Sequence, residues 1–357
     1  MSLAAGTNGR TPGQHMLDWK ISKDEICRRV RGNPGVLKIV LKTKDESDFL
    51  EWWVEHHSRI VGLENLIVFD NESTDRAVLN YYDSFMDQSV VVRFAGFHNL
   101  LHWVNEFPEL YKALQDSCEY FTFLDSDEFL TWVREDGTFT QNTDLVSELS
   151  QVAQQDAIAG IWLDNVAGYD DRFILYSENG RWPRGLTGGK PIISSKANID
   201  GFINHNFQLN RFANTQNANS LILHMKRLLP RQRIRVNISK LRKYKFLADD
   251  EGIDKITNAD ANALPAGNVR QWVKEIQELM DQGATGPDEQ KSIEKGHIRL
   301  GKNSSVDFHS ESEREQFLSF LRDPGPVINR VIRNKVKRYR TLGGTLGHPG
   351  RDRRAGP

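Results

Sequence analysis

Four short stretches of this chain are apolar almost without interruption: Val36-Leu37-Lys38-Ile39-Val40-Leu41, Asn65 to Asp70, Val90 to Phe94, and Tyr120 to Leu124. A strand with one wet face alternates polar and apolar residues. A strand buried on both faces reads as a continuous run, and that burial is the condition of a parallel sheet with helices on each side. The intervening segments have helical spacing. Phe49, Leu50, Trp53, Val54, Ile60 and Val61 recur three and four apart, Ser47 or Asp48 stands where an N-cap belongs, and Gly62 closes the run. Asn71 to Asp75 is a polar turn into another helix, and Pro108 to Cys118 reads as a further one. Strand and helix alternate through four strands, so the expected class is α/β with a mostly parallel sheet and helices on both faces.

The remainder is less patterned. Gly160-Ile161-Trp162-Leu163 is a strand candidate, and 177–191 is a Gly/Pro/Arg loop. Val269, Trp272, Val273, Ile276, Leu279 and Met280 mark an amphipathic helix closed by Gly283. Ser312-x-x-Glu315 is a capping box, and Pro326 to Arg340 reads as a basic helix. These features suggest an arm (1–20), a main α/β domain (21–250), a helical extension (251–342) and a disordered tail (343–357). With 47 Lys+Arg against 48 Asp+Glu, the net charge of −1 argues against a dedicated nucleic-acid binder. No run reaches the ~18 apolar residues of a membrane span, and residues 1–30 lack a signal-peptide core. Cys27 and Cys118 are too few for a disulfide framework, which points to a reducing, cytoplasmic setting.

The most informative site is Leu124-Asp125-Ser126-Asp127-Glu128, where an apolar strand runs into three carboxylates. Ligands of open α/β sheets bind beyond the carboxyl ends of strands. If the backbone stays extended, Asp125 and Asp127 point the same way and repel each other unless a cation lies between them. A hard ion, Mn²⁺ or Mg²⁺, held by one or two carboxylates and substrate phosphates suits that arrangement. A solvated acidic turn is the plainer alternative.

Lys44-Asp45-Glu46, Phe49-Leu50-Glu51-Trp52, His56-His57, residues 63–75 (LENLIVFDNESTD) and residues 121–130 (FTFLDSDEFL) occur in this order. The set resembles the GT-A fold glycosyltransferases, in the family-2-like branch that includes family 92, and the resemblance covers about residues 36–130. It implies a nucleotide-sugar donor, a UDP- or GDP-sugar, and a glycan or lipid-linked acceptor. It implies that Thr43, Lys44 and Glu46 line the donor pocket, that Asp70 or Asn71 touches the base or ribose, and that Asp125 and Asp127 hold the metal and diphosphate. The commoner Asp-Asp-Gly-Ser pattern is here Asp70-Asn71-Glu72-Ser73, which leaves the base open.

Such enzymes commonly take a third metal ligand from the second half of the domain. His224, ending the run Ser220 to Leu223, is the candidate, with His205 and His309 as rivals. An inverting transfer needs a carboxylate base, for which Asp164, Asp170 and Asp171 are candidates. Nine Lys/Arg and no acid lie between Met225 and Lys245. They could fold over a diphosphate, form a solvated face, or give peripheral contact with an anionic membrane. Gly185 to Lys190 fails as a P-loop, because Arg184 and Pro191 stand where Gly and Ser/Thr are needed, and is expected to be a flexible loop. Trp182 is the aromatic best placed to stack on a sugar. Two other classes compete: a non-catalytic nucleotide- or sugar-binding module, and a phosphohydrolase with Asp125 as nucleophile.

Overall fold

The computed structural model describes residues 16–134, 139–152, 155–165, 173–174, 188–206, 208, 219–265, 267–281 and 306–307. Elements run in the order β1 (Leu17–Asp18), α1 (Lys23–Gly32), β2 (Gly35–Thr43), α2 (Leu50–Val61), β3 (Leu66–Asp70), α3 (Arg76–Phe85), β4 (Val90–Arg93), α4 (Pro108–Ser117), β5 (Cys118–Leu124) and β6 (Glu128–Val133). Then follow β7 (Phe139–Thr140), α5 (Thr143–Gln151), β8 (Ala157–Ala159), β9 (Ile161–Asn165), β10 (Phe173–Ile174), β11 (Pro191–Ser194) and β12 (Ser220–His224). The last are α6 (Pro230–Lys243), α7 (Asp254–Thr257), α8 (Asn268–Asp281) and β13 (Val306–Asp307). The chain divides into two units, one of Met1–Leu163, Leu175–Leu223 and Phe308–Pro357, the other of Asp164–Ile174 and His224–Asp307.

The first unit is built on a seven-stranded sheet in the order β1-β4-β3-β2-β5-β11-β8. Strands β1, β4, β3, β2 and β5 are mutually parallel, and β11 is antiparallel to both β5 and β8. This is the mostly parallel α/β sheet expected from the apolar runs. From β2 the chain steps outward through β3 to β4, then returns to place β5 on the other side of β2. The reversal makes a topological switch point between β2 and β5, the crevice where open α/β sheets bind ligands. Its strands are buried on both faces, with Ile39, Val40, Leu41, Val68, Phe69 and Phe121 at most 0 % exposed. Helix α1 packs with α4, and α2 with α5.

Helix α2 starts at Leu50, and neither Ser47 nor Asp48 caps it. Glu46 supplies the anion instead: its Oε1 accepts the backbone N–H groups of Asp48 at 3.2 Å and Phe49 at 3.3 Å. A carboxylate at a helix N-terminus is favoured by both hydrogen bonding and the helix dipole. Farther along α2, Trp52 packs on Phe129 with ring centroids 4.4 Å apart. The same helix buries two histidines. His56 Nε2 donates to the Leu130 carbonyl at 2.7 Å, His57 Nδ1 donates to the Trp53 carbonyl at 2.8 Å, and His57 Nε2 accepts the Leu130 N–H at 3.1 Å. Both rings are therefore neutral joints between α2 and β6.

In the second unit, Asn165 and Asp164 of β9 pair antiparallel with Phe173 and Ile174 of β10, which runs parallel to β13. Helices α6, α7 and α8 close on one apolar cluster that includes Ile234, Leu241, Ile256, Val273, Ile276 and Leu279. The basic run is not a uniform solvated face. Lys226 Nζ meets Asp164 at 2.8 Å, Arg227 meets Glu278 at 3.0 Å, and Arg233 meets Glu275 at 3.0 Å. Residues 312–321 and 326–340, expected as helices, and Trp182, Asp170, Asp171 and His309 lie outside the described residues.

Burial pushes His56 down to about 4 and His57 well below the usual imidazole value. An unfolded histidine titrates near 6.5. Below that pH the unfolded chain takes up protons that the folded chain refuses, so stability is full above pH 6.5 and declines as pH falls towards 4. Each such histidine removes about 1.4 kcal/mol per pH unit within its window. Urea unfolding at pH 7 and pH 5, where ordinary carboxylates remain ionised, is expected to show this loss. Equal free energies at the two pH values would contradict the assignment.

Candidate active site

The carboxyl ends of β2, β3 and β5 converge at the switch point. Thr43 lies opposite Asp70 in the β2–β3 register, and Leu41 lies opposite Leu124 in the β2–β5 register. Lys42 is therefore brought beside Asp125. The loops after β2 and β3 are tied together. Asp45 Oδ1 accepts the N–H groups of Thr74 at 2.6 Å and Asp75 at 2.8 Å, and Ser73 Oγ accepts the Asp45 N–H at 2.7 Å. Asp45 (φ 48°) and Glu72 (φ 59°) both take the left-handed conformation. Such backbone concentrates where a structure fixes a functional loop.

Asp125 is the electrostatic centre. Lys190 Nζ donates to its Oδ2 at 2.8 Å, and Lys42 Nζ lies 3.3 Å from its Oδ1. The two lysine side chains are 0 % and 4 % exposed, while Asp125 keeps 35 % exposure. Burial opposes ionisation of Asp125, but Lys190 and Lys42 outweigh it and hold the carboxyl well below its usual range. Burial lowers Lys42, whereas the neighbouring Asp125 and Glu128 outweigh burial and raise Lys190. Glu128 is itself sealed; its Oε2 accepts the Asp125 N–H at 2.8 Å, and its Oε1 accepts Trp162 Nε1–H at 2.8 Å. The Lys42 ammonium also contacts Asn99 Oδ1 at 2.8 Å and His102 Nε2 at 3.1 Å. His102, held well below its usual value by burial and by Lys42, stays neutral and accepts there.

The acidic motif is not an extended strand. Strand β5 stops at Leu124, the Glu128 N–H returns to the Asp125 carbonyl at 3.0 Å, and β6 begins at Glu128. Face alternation therefore does not apply, and Asp125 is held by ammonium groups rather than facing a cation shared with Asp127. With an ammonium partner on each oxygen, Asp125 is not a ready metal ligand. The ammonium partners on its two oxygens also argue against a nucleophile. Glu46 is similarly committed, with Oε1 at the α2 N-terminus and Oε2 accepting the Ser126 hydroxyl at 3.3 Å. Burial, and then Asp127 and Asp48, raise its carboxyl above the usual value. Asp127, the third acid of the motif, is half-buried. Among the described residues, no group of three His, Cys, Asp or Glu is arranged as a ready metal cage.

Other expected residues take distinct places. Asp70 is fully buried; its Oδ1 accepts the Tyr82 hydroxyl at 3.1 Å and its Oδ2 the Ser73 N–H at 2.9 Å. It shapes the turn rather than meeting a base or ribose. The Asn71 amide donates to the Phe94 and Gly96 carbonyls, both at 3.2 Å. Lys44 is exposed. Thr43 Oγ1 is buried and has no hydrogen-bond partner, an orphaned donor and acceptor at the switch point. In the second unit, His224 Nδ1 and Lys226 Nζ meet the two oxygens of Asp164 at 3.0 and 2.8 Å. Burial raises Asp164, but Lys226 and His224 hold it well below the usual carboxylate range. An anion stabilised so strongly binds protons weakly, which removes Asp164 from the candidate bases.

Sequence reasoning missed Lys42, Lys190, His102 and the structural use of Glu128. The sign of Lys190 was the Gly188-Gly189-Lys190 string. A Cβ on Gly189 would lie 1.8 Å from the Gly160 carbonyl, and one on Gly188 would lie 2.6 Å from the Trp162 ring. His205 Nδ1 donates to the Gly188 carbonyl at 2.6 Å, and the Asn206 N–H donates to the Gly189 carbonyl at 2.9 Å. Gly188 to Lys190 therefore form a close-packed step, not the flexible loop expected. The two glycines let Lys190 enter the core.

No family model matches the chain, and no curated relative does. Among solved structures, it is similar to Staphylococcus aureus TarS residues 1–349 at 11 % identity, over 87 % of this chain and 93 % of that one, with a TM-score of 0.33. It is similar to Mycobacterium tuberculosis glucosyl-3-phosphoglycerate synthase in complex with Mg²⁺ and UDP at 12 % identity, over 74 % and 84 %, with a TM-score of 0.26. A Leptospira borgpetersenii cytidylyltransferase matches at 12 % identity and a TM-score of 0.24, over 44 % of this chain and 60 % of its own length. Likenesses at these scores assign neither family nor activity.

Replacing Asp125 by Asn leaves two ammonium groups without their shared anion. Breaking a sealed ion pair costs about 3–5 kcal/mol. Asp125 is part-exposed, so Asp125→Asn is expected to lose roughly 2–3 kcal/mol in urea unfolding. Asp127→Asn is expected to stay within about 1 kcal/mol of the parent, as surface changes do. Equal losses from the two substitutions would contradict this division of roles.

Proposed function

We propose that this protein is a glycosyltransferase that moves a sugar from a nucleoside diphosphate donor to a hydroxyl acceptor. The observation that carries the proposal is the grouping of Thr43, Asn71, Asp125 and Asp127 at the carboxyl ends of β2, β3 and β5, around the switch point of a mostly parallel sheet. The quoted sequence resemblance falls on the same strand ends. The nucleoside lies against the tied loops after β2 and β3. The diphosphate lies towards the turn after β5.

Within that arrangement the side chains have separate tasks. Asp125, ionised throughout the neutral range, orients the donor by accepting hydrogen bonds. Asp127 is the carboxylate for a divalent ion, Mn²⁺ or Mg²⁺, whose chemistry is to offset charge on the leaving diphosphate. Lys42 and Lys190 reach the ligand only through Asp125. The acceptor is a hydroxyl of a glycan or lipid-linked glycan, and Asp170 and Asp171 are the candidate bases.

The test is a thermal-shift panel of UDP, GDP and CDP with Mn²⁺ and with EDTA. A ligand at 100 times its Kd adds about 2.7 kcal/mol of stability. One nucleoside diphosphate is expected to raise Tm by several degrees, more so with Mn²⁺, and Asp127→Asn is expected to abolish the metal-dependent part alone. No shift with any nucleotide in either buffer would refute the proposal.

A further inference from the structure

We propose that Lys42 and Lys190 are positioning residues of the donor site: they clamp the Asp125 carboxylate from two neighbouring strands so that its exposed edge accepts hydrogen bonds from donor hydroxyl groups and does not bind a cation. The inference rests on the donor reading above and assigns two residues to it that lie out of reach of any ligand.

The geometry is that of a clamp. Strands β2, β5 and β11 are consecutive in the sheet. Lys42 is on β2, Asp125 follows β5, and Lys190 immediately precedes β11. An ammonium group has three donors. Those of Lys190 meet Asp125 Oδ2 at 2.8 Å and Asn204 Oδ1 at 2.7 Å, with Glu128 Oε2 at 3.7 Å. Those of Lys42 meet Asn99 Oδ1 at 2.8 Å, His102 Nε2 at 3.1 Å and Asp125 Oδ1 at 3.3 Å. The Lys190 side chain is 0 % exposed and that of Lys42 4 %, so neither ammonium group reaches a ligand. Asp125 is the part of the cluster that reaches solvent.

Charge decides what Asp125 can receive. Lys42 and Lys190 already sit on the two oxygens of Asp125, so a third cation there would have to compete with both. A carboxylate has about four lone-pair sites, and the ammonium groups take only the inward ones. A neutral donor such as a hydroxyl group fits the outward ones. The clamp also depends on the Gly188-Gly189 step, since no larger residue lets the chain deliver Lys190 to this depth.

The experiment is a double-substitution cycle on the full-length protein, with nucleoside diphosphate binding followed by calorimetry in Mn²⁺ and in EDTA. Lys190→Met is expected to weaken binding roughly 10- to 100-fold, the scale of a lost charge-assisted hydrogen bond, and by the same factor in both buffers. The double variant Lys190→Met/Asp125→Asn is expected to bind no worse than Asp125→Asn alone, because Lys190 acts through Asp125. Factors that multiply, unchanged binding by folded Lys190→Met, or selective loss of the Mn²⁺-dependent part would each overturn the proposal. If Lys190→Met does not fold, Lys42→Gln in the same cycle gives the same comparison. A wild-type protein that binds no nucleoside diphosphate in either buffer refutes the donor reading and this proposal with it. A binding wild type with insensitive variants refutes the clamp alone.

Discussion

One carboxylate held between two buried ammonium groups organises the first unit. Lys42, Asp125 and Lys190 come from three consecutive strand positions, and neutralising any one of them removes an ion-pair partner from another. The pairing fixes how β2, β5 and the start of β11 meet at the switch point. It also fixes which side chain faces outward there. The surrounding acids have equally definite tasks: Glu46 starts α2, Asp45 ties two loops, Asp70 holds the turn after β3, and Glu128 closes the turn after β5. An acid-rich crevice has been assembled largely from acids that serve the backbone.

The sheet was legible in the sequence because burial on both faces leaves no choice of residue type. Val36–Leu41, Leu66–Phe69 and Tyr120–Leu124 all lie in parallel strands, and β2, β3 and β5 differ from the expected spans by only a few residues. The site was legible only in outline. The ends of the strands themselves fell where expected, since polar residues can follow a buried run only where it emerges. The pairing of Asp125 with Asp127 was not legible, because a tight turn and an extended strand have the same residues, and a hydrogen bond from Glu128 to Asp125 decides between them.

Buried lysines were the largest omission. Lys42 ends an apolar run and reads as the start of a solvated loop, and Lys190 sits in a string that invites comparison with a phosphate loop and fails it. Nothing local marks either as sealed. Their partners lie 83 and 65 residues away in sequence at Asp125. Glycine gave the one usable hint, because two successive glycines before a lysine mark a place where the backbone must pass unusually close to something. The same limit applies to the Asp164–His224–Lys226 cluster, whose members were each noticed but whose mutual contacts remove the carboxylate from proton transfer.

The most direct test is a crystal structure of the protein with the nucleoside diphosphate that binds and with Mn²⁺. The account predicts the diphosphate over the carboxyl ends of β2 and β5, any metal on Asp127, and Asp125 still within hydrogen-bonding distance of both Lys42 and Lys190. An Asp125 side chain rotated off the lysines and coordinated to the metal would contradict it.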